Sequence, residues 1–424
     1  MESSAQRATP VRKTGFFYGW VVVTVMVAFS AITVAMAGPN FGQFIKPMQA
    51  ELGWGATIFG ISQTVRMFAG VVTGPAIGRM IDRFGPRVPV ATAALLLGLS
   101  LIAMKWMSTQ WQMLVPFAIT GLIGMGRAAD MYVGATIAKW FIRKRGLAMS
   151  IAMAGTPIGI IFVFPLTQYL IDHFGWRQTL FIFGASGAAL IVPMSLIWLR
   201  REPEDMGLLP DGDTSRPSVG SAGDETSWTR AEAMRHPTFW LMLLGFSLFS
   251  FAFSTVTVFR VPHYIERGLN PSTVAFAVTA DSIVAVISSV VLGTVFARAA
   301  SRVVVAAGMA GMAACTALLI VVGDNWVLFI SSMLWGFGIQ VAIVAQSVMW
   351  GDYWGRRHLG AIRGITIPLT IGVGSTAFFI AGLIRDEAGS YTPAWFMAIA
   401  VFAASVAVLL PLRKPRRRLA PGRP

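Results

Sequence analysis

The chain has 424 residues, of which 55% are hydrophobic and 12% charged, with 34 Lys and Arg against 19 Asp and Glu. A soluble protein carries about twice that charged fraction, and the mean hydropathy is +0.67, so the composition excludes a soluble globular enzyme and points to an integral membrane protein. The net charge of +15 is spread over many short loops rather than one face, which argues against a nucleic-acid partner.

Apolar stretches of about 20 residues, each long enough to cross a hydrocarbon core about 30 Å thick, recur along the whole length. Hydropathy and length predict about twelve spans. In the first half they fall near 17–38, 56–78, 88–107, 112–139, 147–171 and 178–199. In the second half they fall near 238–264, 272–297, 303–322, 326–351, 363–385 and 393–412. The expected fold is an all-α membrane protein with two pseudo-symmetric six-helix bundles, 1–199 and 238–412. Between them 200–237, rich in Pro, Gly, Ser and acids, is expected to be a linker that buries no core, and 413–424 is a basic tail.

Positive charge sets the expected orientation. Arg7, Arg12 and Lys13 precede the first span; Arg79, Arg83 and Arg87 follow the second, Arg143, Lys144 and Arg145 the fourth, and Arg356, Arg357 and Arg363 the tenth. The positive-inside rule then places both termini, the linker and these clusters in the cytoplasm of a multi-pass protein of the cell's inner (plasma) membrane. The tail from Arg413 to Arg418 is suited to anionic lipid headgroups. No cleavable signal peptide or lipidation motif is expected, because the first apolar run is long and continues into the body of the chain. Cys315, the one cysteine, lies in an apolar span and reads as a packing residue.

Function is expected where charge enters the spans. Arg66, Arg127, Asp130 and Asp281 lie deep inside apolar runs, where an ionised side chain costs about 3 kcal/mol on insertion scales unless it faces a polar cavity or a partner. Arg66 can grip a carboxylate with two parallel hydrogen bonds; a permanent pair with Asp281 is the alternative. Arg127 and Asp130 share a helix face three residues apart, so Arg127 either holds an anionic solute or is neutralised by Asp130, and Asp130 is itself a proton or structural partner. Asp281 is the foremost proton carrier, since burial favours its neutral form and an arginine its charged one. Arg260 and His263 flank Pro262, which is expected to bend or end the seventh span and turn both towards an outer vestibule, as a second anion contact and a proton relay. Tyr132 and Gln340 add polar groups able to orient a ligand.

The halves repeat. Arg66 precedes Gly78 by 12 residues (78 − 66) and Asp281 precedes Gly293 by 12 (293 − 281). Arg127 lies 13 before Trp140, as Gln340 lies 13 before Tyr353 (140 − 127 and 353 − 340). Parallel repeats with a solute site between them are one transporter plan.

The run GRMIDRFGPR at 78–87 resembles the signature loop of the major facilitator superfamily. KWFIRKRGLAMSIAMAGTPIG at 139–159, its echo YWGRRHLGAIRG at 353–364, FYGW at 17–20, GWR at 175–177 and GSY at 389–391 resemble the monocarboxylate transporter and oxalate/formate antiporter branch. The resemblance implies alternating access with an organic anion, moved with a proton or in exchange. Gly78, Asp82, Arg83, Arg87 and Arg143 are then expected to latch one conformation, or else to anchor the loop at the interface. The Asp and Arg that monocarboxylate transporters carry on the eighth span fall here on Ala285 and Ser289, so that anion-binding arginine does not carry over.

The expected function is therefore secondary active transport of a small organic anion, a monocarboxylate or short dicarboxylate, by proton symport or anion exchange, in a monomer that needs neither cofactor nor metal. No P-loop or catalytic constellation suggests an enzyme. A proton-coupled efflux carrier for amphipathic or cationic compounds, with Asp130 and Asp281 holding the cation, and a transport-inactive membrane sensor are the alternatives.

Overall fold

The computed structural model describes residues 17–34, 38–123, 129–142, 144–212, 228–296, 300–355 and 358–415. Apart from turns and short 3-10 segments, these residues form fifteen α-helices. The first half holds α1 (Gly19–Thr33), α2 (Gly38–Leu52), α3 (Ala56–Phe84), α4 (Arg87–Ala103), α5 (Trp111–Leu122), α6 (Ala129–Trp140), α7 (Arg145–Met153) and α8 (Gly155–Trp198). After the short α9 (Arg230–Met234) come α10 (Pro237–Glu266), α11 (Pro271–Phe296), α12 (Ser301–Val321), α13 (Asn325–Trp354), α14 (Leu359–Ala388) and α15 (Thr392–Leu409). Helix is the expected outcome in an apolar solvent, where each backbone N–H and C=O must find its partner within its own segment.

Eight stretches among the described residues are long and apolar enough to cross a membrane. One of them, Leu147–Trp198, has 52 residues, far beyond the roughly 20 a single crossing needs. It turns back at Gly175, whose φ of 77° and ψ of 163° lie where only glycine is comfortable. The next two residues pin the turn. Trp176 Nε1 donates to Glu51 Oε2 at 2.6 Å and Arg177 Nε to Glu51 Oε1 at 2.8 Å, while Arg177 Nη1 donates to the carbonyls of Lys105 and Met107 at 2.7 and 2.8 Å. The Gly-Trp-Arg sequence thus ties α8 to the ends of α2 and α4. The helix α3, 29 residues long, rises about 43 Å and is less apolar because it carries Gln63 and Arg66.

Among the described residues the two halves touch chiefly through α3 with α14, α8 with α11 and α2 with α10. Towards the end where α2 finishes and α3 begins, here the far end, ionic contacts cross between the halves. Glu266 Oε1 accepts from Lys46 Nζ and from Arg385 Nε and Nη2, the latter two at 3.1 and 3.0 Å. Asp386 caps the start of α3, accepting from the backbone N–H of Ala56 and Thr57 and from Thr57 Oγ1 at 2.6, 2.8 and 2.6 Å.

At the opposite end the linker is more ordered than its composition suggests. Asp211 accepts from the N–H groups of Ile142 and Lys144 at 2.9 and 3.0 Å, and Trp228 N–H donates to Trp354 O at 3.0 Å. The helix α9 opens with a capping box between Thr229 and Glu232. The amides of Ile142 and Lys144, satisfied by Asp211, hold the first stretch, while the second packs on the core through buried Ala233 and through the Trp228 ring, edge-on to Trp354 at 5.7 Å.

Candidate functional site

Arg260 and Asp281 stand at the centre of the second half. Arg260 Nη2 donates to Asp281 Oδ2 at 2.5 Å, and Asp281 Oδ1 accepts from Ser282 Oγ at 3.1 Å. Both residues are buried, with side chains 2% and 8% exposed. The guanidinium lies 4.9 Å from the centroid of Trp335, which stacks in turn on Phe253 at 5.6 Å. Three helices build this arrangement: α10 supplies the cation, α11 the carboxylate and α13 the ring. Buried polar groups are normally satisfied, yet Nε and Nη1 of Arg260 have no hydrogen-bond partner among the described residues. Two donors of a fork made for carboxylates are therefore left over.

The path of α10 explains how Arg260 comes to be inside. Pro262 neither ends the helix nor turns Arg260 out to an outer vestibule, because α10 continues to Glu266. A proline lacks the N–H that would bond the carbonyl four residues back. That carbonyl is Val258 O, and it faces Gly42 of α2, which lies against it with no side chain between. The α2–α10 crossing thus forms where the helix is already deprived of one internal bond.

His263, the expected relay, faces into the second half. Its Nε2 lies 2.8 Å from Leu319 O, and its ring meets Trp395 and Tyr391 edge-on. At the next residue, Tyr264 Oη and Ser331 Oγ are 3.0 Å apart. A histidine held by a backbone carbonyl among aromatic rings is a packed residue rather than one lining a vestibule.

In the first half Arg66 is 3% exposed and so turned away from lipid. Gln63, three residues earlier and on the same face, is fully buried with neither amide atom hydrogen-bonded. The sequence reading passed over it, although a glutamine one turn before an intramembrane arginine was a usable signal. On α2, Gln43 Nε2 lies 2.9 Å from Asn40 Oδ1, and Thr167 Oγ1 of α8 lies 3.0 Å from the same oxygen. Gln43 Oε1 is buried with no partner. Tyr132 is buried and its hydroxyl donates to Ile123 O at 2.9 Å, so it braces the fold rather than offering a free donor. Gln340 is half-buried on α13.

Arg127 and Arg143 lie outside the described residues, as do the side chains of Asp130 and Asp82 and the surroundings of Gly78. Of the loop residues, Arg83 lies over its neighbour Phe84 at 5.3 Å and Arg87 opens α4; both are exposed. Asp281 takes its cation from α10 of its own half, since the Arg260 side chain lies beside it. The expected alternative, a permanent pair with Arg66 across the halves, is therefore replaced.

Apolar helices of crossing length around a buried ion pair define a multi-pass membrane protein. A family model described as Major Facilitator Superfamily matches residues 23–269 and 261–424. The chain belongs to that superfamily. Human monocarboxylate transporter 2 is 25% identical over 284 residues, 61% of this chain and 56% of that protein, so this match spans little more than half of the human relative. Monocarboxylate transporter 12 of Xenopus laevis is 23% identical over 411 residues, 90% of this chain and 85% of the relative. The crystal structure of nucleoside transporter NupG superposes with a TM-score of 0.73 at 11% identity, covering 93% of this chain and 98% of that one. At such identity the likeness speaks for the fold alone.

Proposed function

We propose that this protein is a secondary active transporter that moves a small organic anion, a monocarboxylate or short dicarboxylate, by alternating access with proton symport or anion exchange. About twelve passes in two bundles, 1–199 and 238–412, carry it through the inner (plasma) membrane, with both termini, the linker 200–237 and the tail 413–424 in the cytoplasm. In this reading α1 with α2 forms one pass, α5 with α6 another, and the two limbs of α8 two more.

The observation that carries the reading is the buried Arg260–Asp281 pair with two spare guanidinium nitrogens. A substrate carboxylate docks on those nitrogens and competes with Asp281 for the rest of the fork. Once Asp281 has lost its cation inside a low-dielectric site, a proton neutralises it. Anion and proton then load together, and release of one favours release of the other. Arg66 and Arg127 supply positive charge from the first half, with Gln340 lining the path and Asp130 as a second proton acceptor. Gly78, Asp82, Arg83, Arg87 and Arg143 form the latch on the cytoplasmic side.

Counterflow in proteoliposomes, with two- to six-carbon mono- and dicarboxylates as trans solutes, tests this. At least one carboxylate should accelerate exchange in the wild type, and Arg260→Gln should abolish it. Proton flux driven by cationic amphiphiles, without anion exchange, would establish an efflux carrier instead. Ligand-induced thermal stabilisation without any flux would establish a sensor.

A further inference from the structure

The buried pair is held by more than charge. Trp335 of α13, itself 2% exposed, lies beneath the Arg260 guanidinium at 4.9 Å and against the ring of Phe253, which is 14° from parallel with it at 5.6 Å. Phe253 and Arg260 are seven residues apart on α10 (260 − 253) and share a helix face. The rise between them is about 10.5 Å, the span that the two ring distances fill, so they meet the indole from opposite sides. An indole of one helix is thus wedged between two side chains of another. The next residue sets how deep the wedge goes. Gly336 lies so close to Asp281 O of α11 that a Cβ there would clash with it, which fixes α13 against the carboxylate's own helix. The first half lacks this device. Gly121 lies against Arg66 O in the same way, but the residue before it is Thr120, whose hydroxyl donates to Phe117 O of its own helix at 2.9 Å.

A guanidinium offers two kinds of surface. Its N–H donors point outward in its plane, while its flat faces stack on aromatic rings. A second carboxylate beside Arg260 would hold the cation firmly, but it would compete for the donors that Asp281 and an incoming anion use. An aromatic ring holds the cation through its face and leaves every N–H free. The attraction grows where water is excluded, and Arg260 and Trp335 are both buried. With Phe253 behind it, the indole stays in place when the guanidinium turns.

We propose that Trp335 is a positioning residue for transport: its indole face, backed by Phe253, keeps the Arg260 fork in one plane while the ionic partner changes from Asp281 to the solute anion and back. The proposal rests on the anion reading of Arg260. Trp335 acts through the guanidinium rather than on the solute. Without the ring, an arginine released by Asp281 has a flexible stem and no fixed plane, so each two-pronged contact with an anion must first order that side chain. The loss therefore falls on the anion concentration that gives half-maximal exchange, and much less on the maximal rate.

The test is counterflow by the full-length protein in proteoliposomes, with propanoate, butanoate, malonate and succinate as probes and with mono-, di-, tri- or tetrafluorotryptophan placed at position 335. Fluorine withdraws electron density from the ring face and so weakens its hold on a cation, while the shape that packs against Phe253 stays nearly the same. For the probe that exchanges fastest, the half-saturating concentration should climb with each fluorine, to about tenfold above wild type for the tetrafluoro ring. The maximal rate should stay within about twofold. Trp335→Phe, which keeps an aromatic face, should fall between wild type and Trp335→Leu, which removes it; if the leucine variant does not fold, the fluorinated series decides alone. A half-saturating concentration that is flat across that series, or a fall in maximal rate alone, overturns the role of Trp335 while leaving the anion site standing. Exchange of none of the probes by the wild type, or exchange unchanged in Arg260→Gln, overturns the anion reading and this proposal with it.

Discussion

Arg66 on α3 and Asp281 on α11 occupy matching places in the two halves, and the match is one of backbone as well as of sequence. A Cβ added to Gly121 of α5 would run into Arg66 O, and one added to Gly336 of α13 would run into Asp281 O. Both pairs are related by the same offset of 215 positions (281 − 66 and 336 − 121). The helix crossings are thus conserved between halves while the charge is reversed. The second half neutralises its carboxylate with an arginine from the neighbouring α10, and spare donors remain. Equivalent scaffolds have been given unequal chemistry, as expected of a site that binds an asymmetric solute between them.

The sharpest way to break this comparison is to remove the cation from the second half. Arg260→Gln leaves Asp281 buried without its partner, a change that costs about 3–5 kcal/mol when the remaining charge stays buried. Thermal unfolding of the detergent-solubilised variant should show a large loss and counterflow should cease. In the double variant Arg260→Gln with Asp281→Asn no charge is stranded, so the unfolding temperature should recover most of the loss while transport stays absent. Recovery of transport together with stability would mean that the pair is structural and the anion binds elsewhere.

A second test asks whether the repeat is mechanical. Gly121→Val and Gly336→Val each place methyl groups against a backbone carbonyl that belongs to a packed helix, and overpacking of this kind costs about 1–3 kcal/mol. If the crossings are truly equivalent, the two variants should lose similar amounts in the same unfolding assay. A loss confined to one half would show that only that crossing is close-packed in solution.

Much of the frame was legible in the sequence. The class, the rhythm of apolar runs and the buried positions of Arg66 and Asp281 follow from hydropathy, and the Gly-Trp-Arg turn was visible as a motif before it was visible as an anchor. The pairing at the site was not. Arg260 and Asp281 are on different helices, and their meeting depends on how far α10 is rotated at the Gly42 crossing, which no local pattern reports. Pro262 misled for a related reason: a missing N–H weakens a helix in isolation, whereas here a neighbouring helix occupies the gap. His263 and Tyr132 looked functional because polar side chains in apolar runs are rare; backbone carbonyls at Leu319 and Ile123 account for them. Gln63 drew no notice because only the tertiary arrangement reveals that its amide atoms lack partners among the described residues.

The last comparison is between the two ends of the interface, and the expected effect is the smallest. At the far end Glu266 joins Lys46 of the first half to Arg385 of the second, while Asp386 caps α3. The Lys46–Glu266 bond and the Asp386 cap exist only while the halves are closed together there, so they bias the equilibrium between far-side-closed and far-side-open states. Lys46 and Glu266 keep side chains 25% and 19% exposed, and water screens such pairs, so each contributes modestly. Cys315 is the one cysteine and is buried, which makes Cys315→Ala a suitable background for a reporter at Val261→Cys, beneath this cluster. Glu266→Gln should raise labelling of that reporter by a bulky, membrane-impermeant maleimide about two- to fivefold, and Asp386→Asn should add to it by freeing the amides of Ala56 and Thr57. Labelling equal to the parent in both single variants and in their combination would mean that helix packing between α3 and α14, rather than charge, holds this end shut.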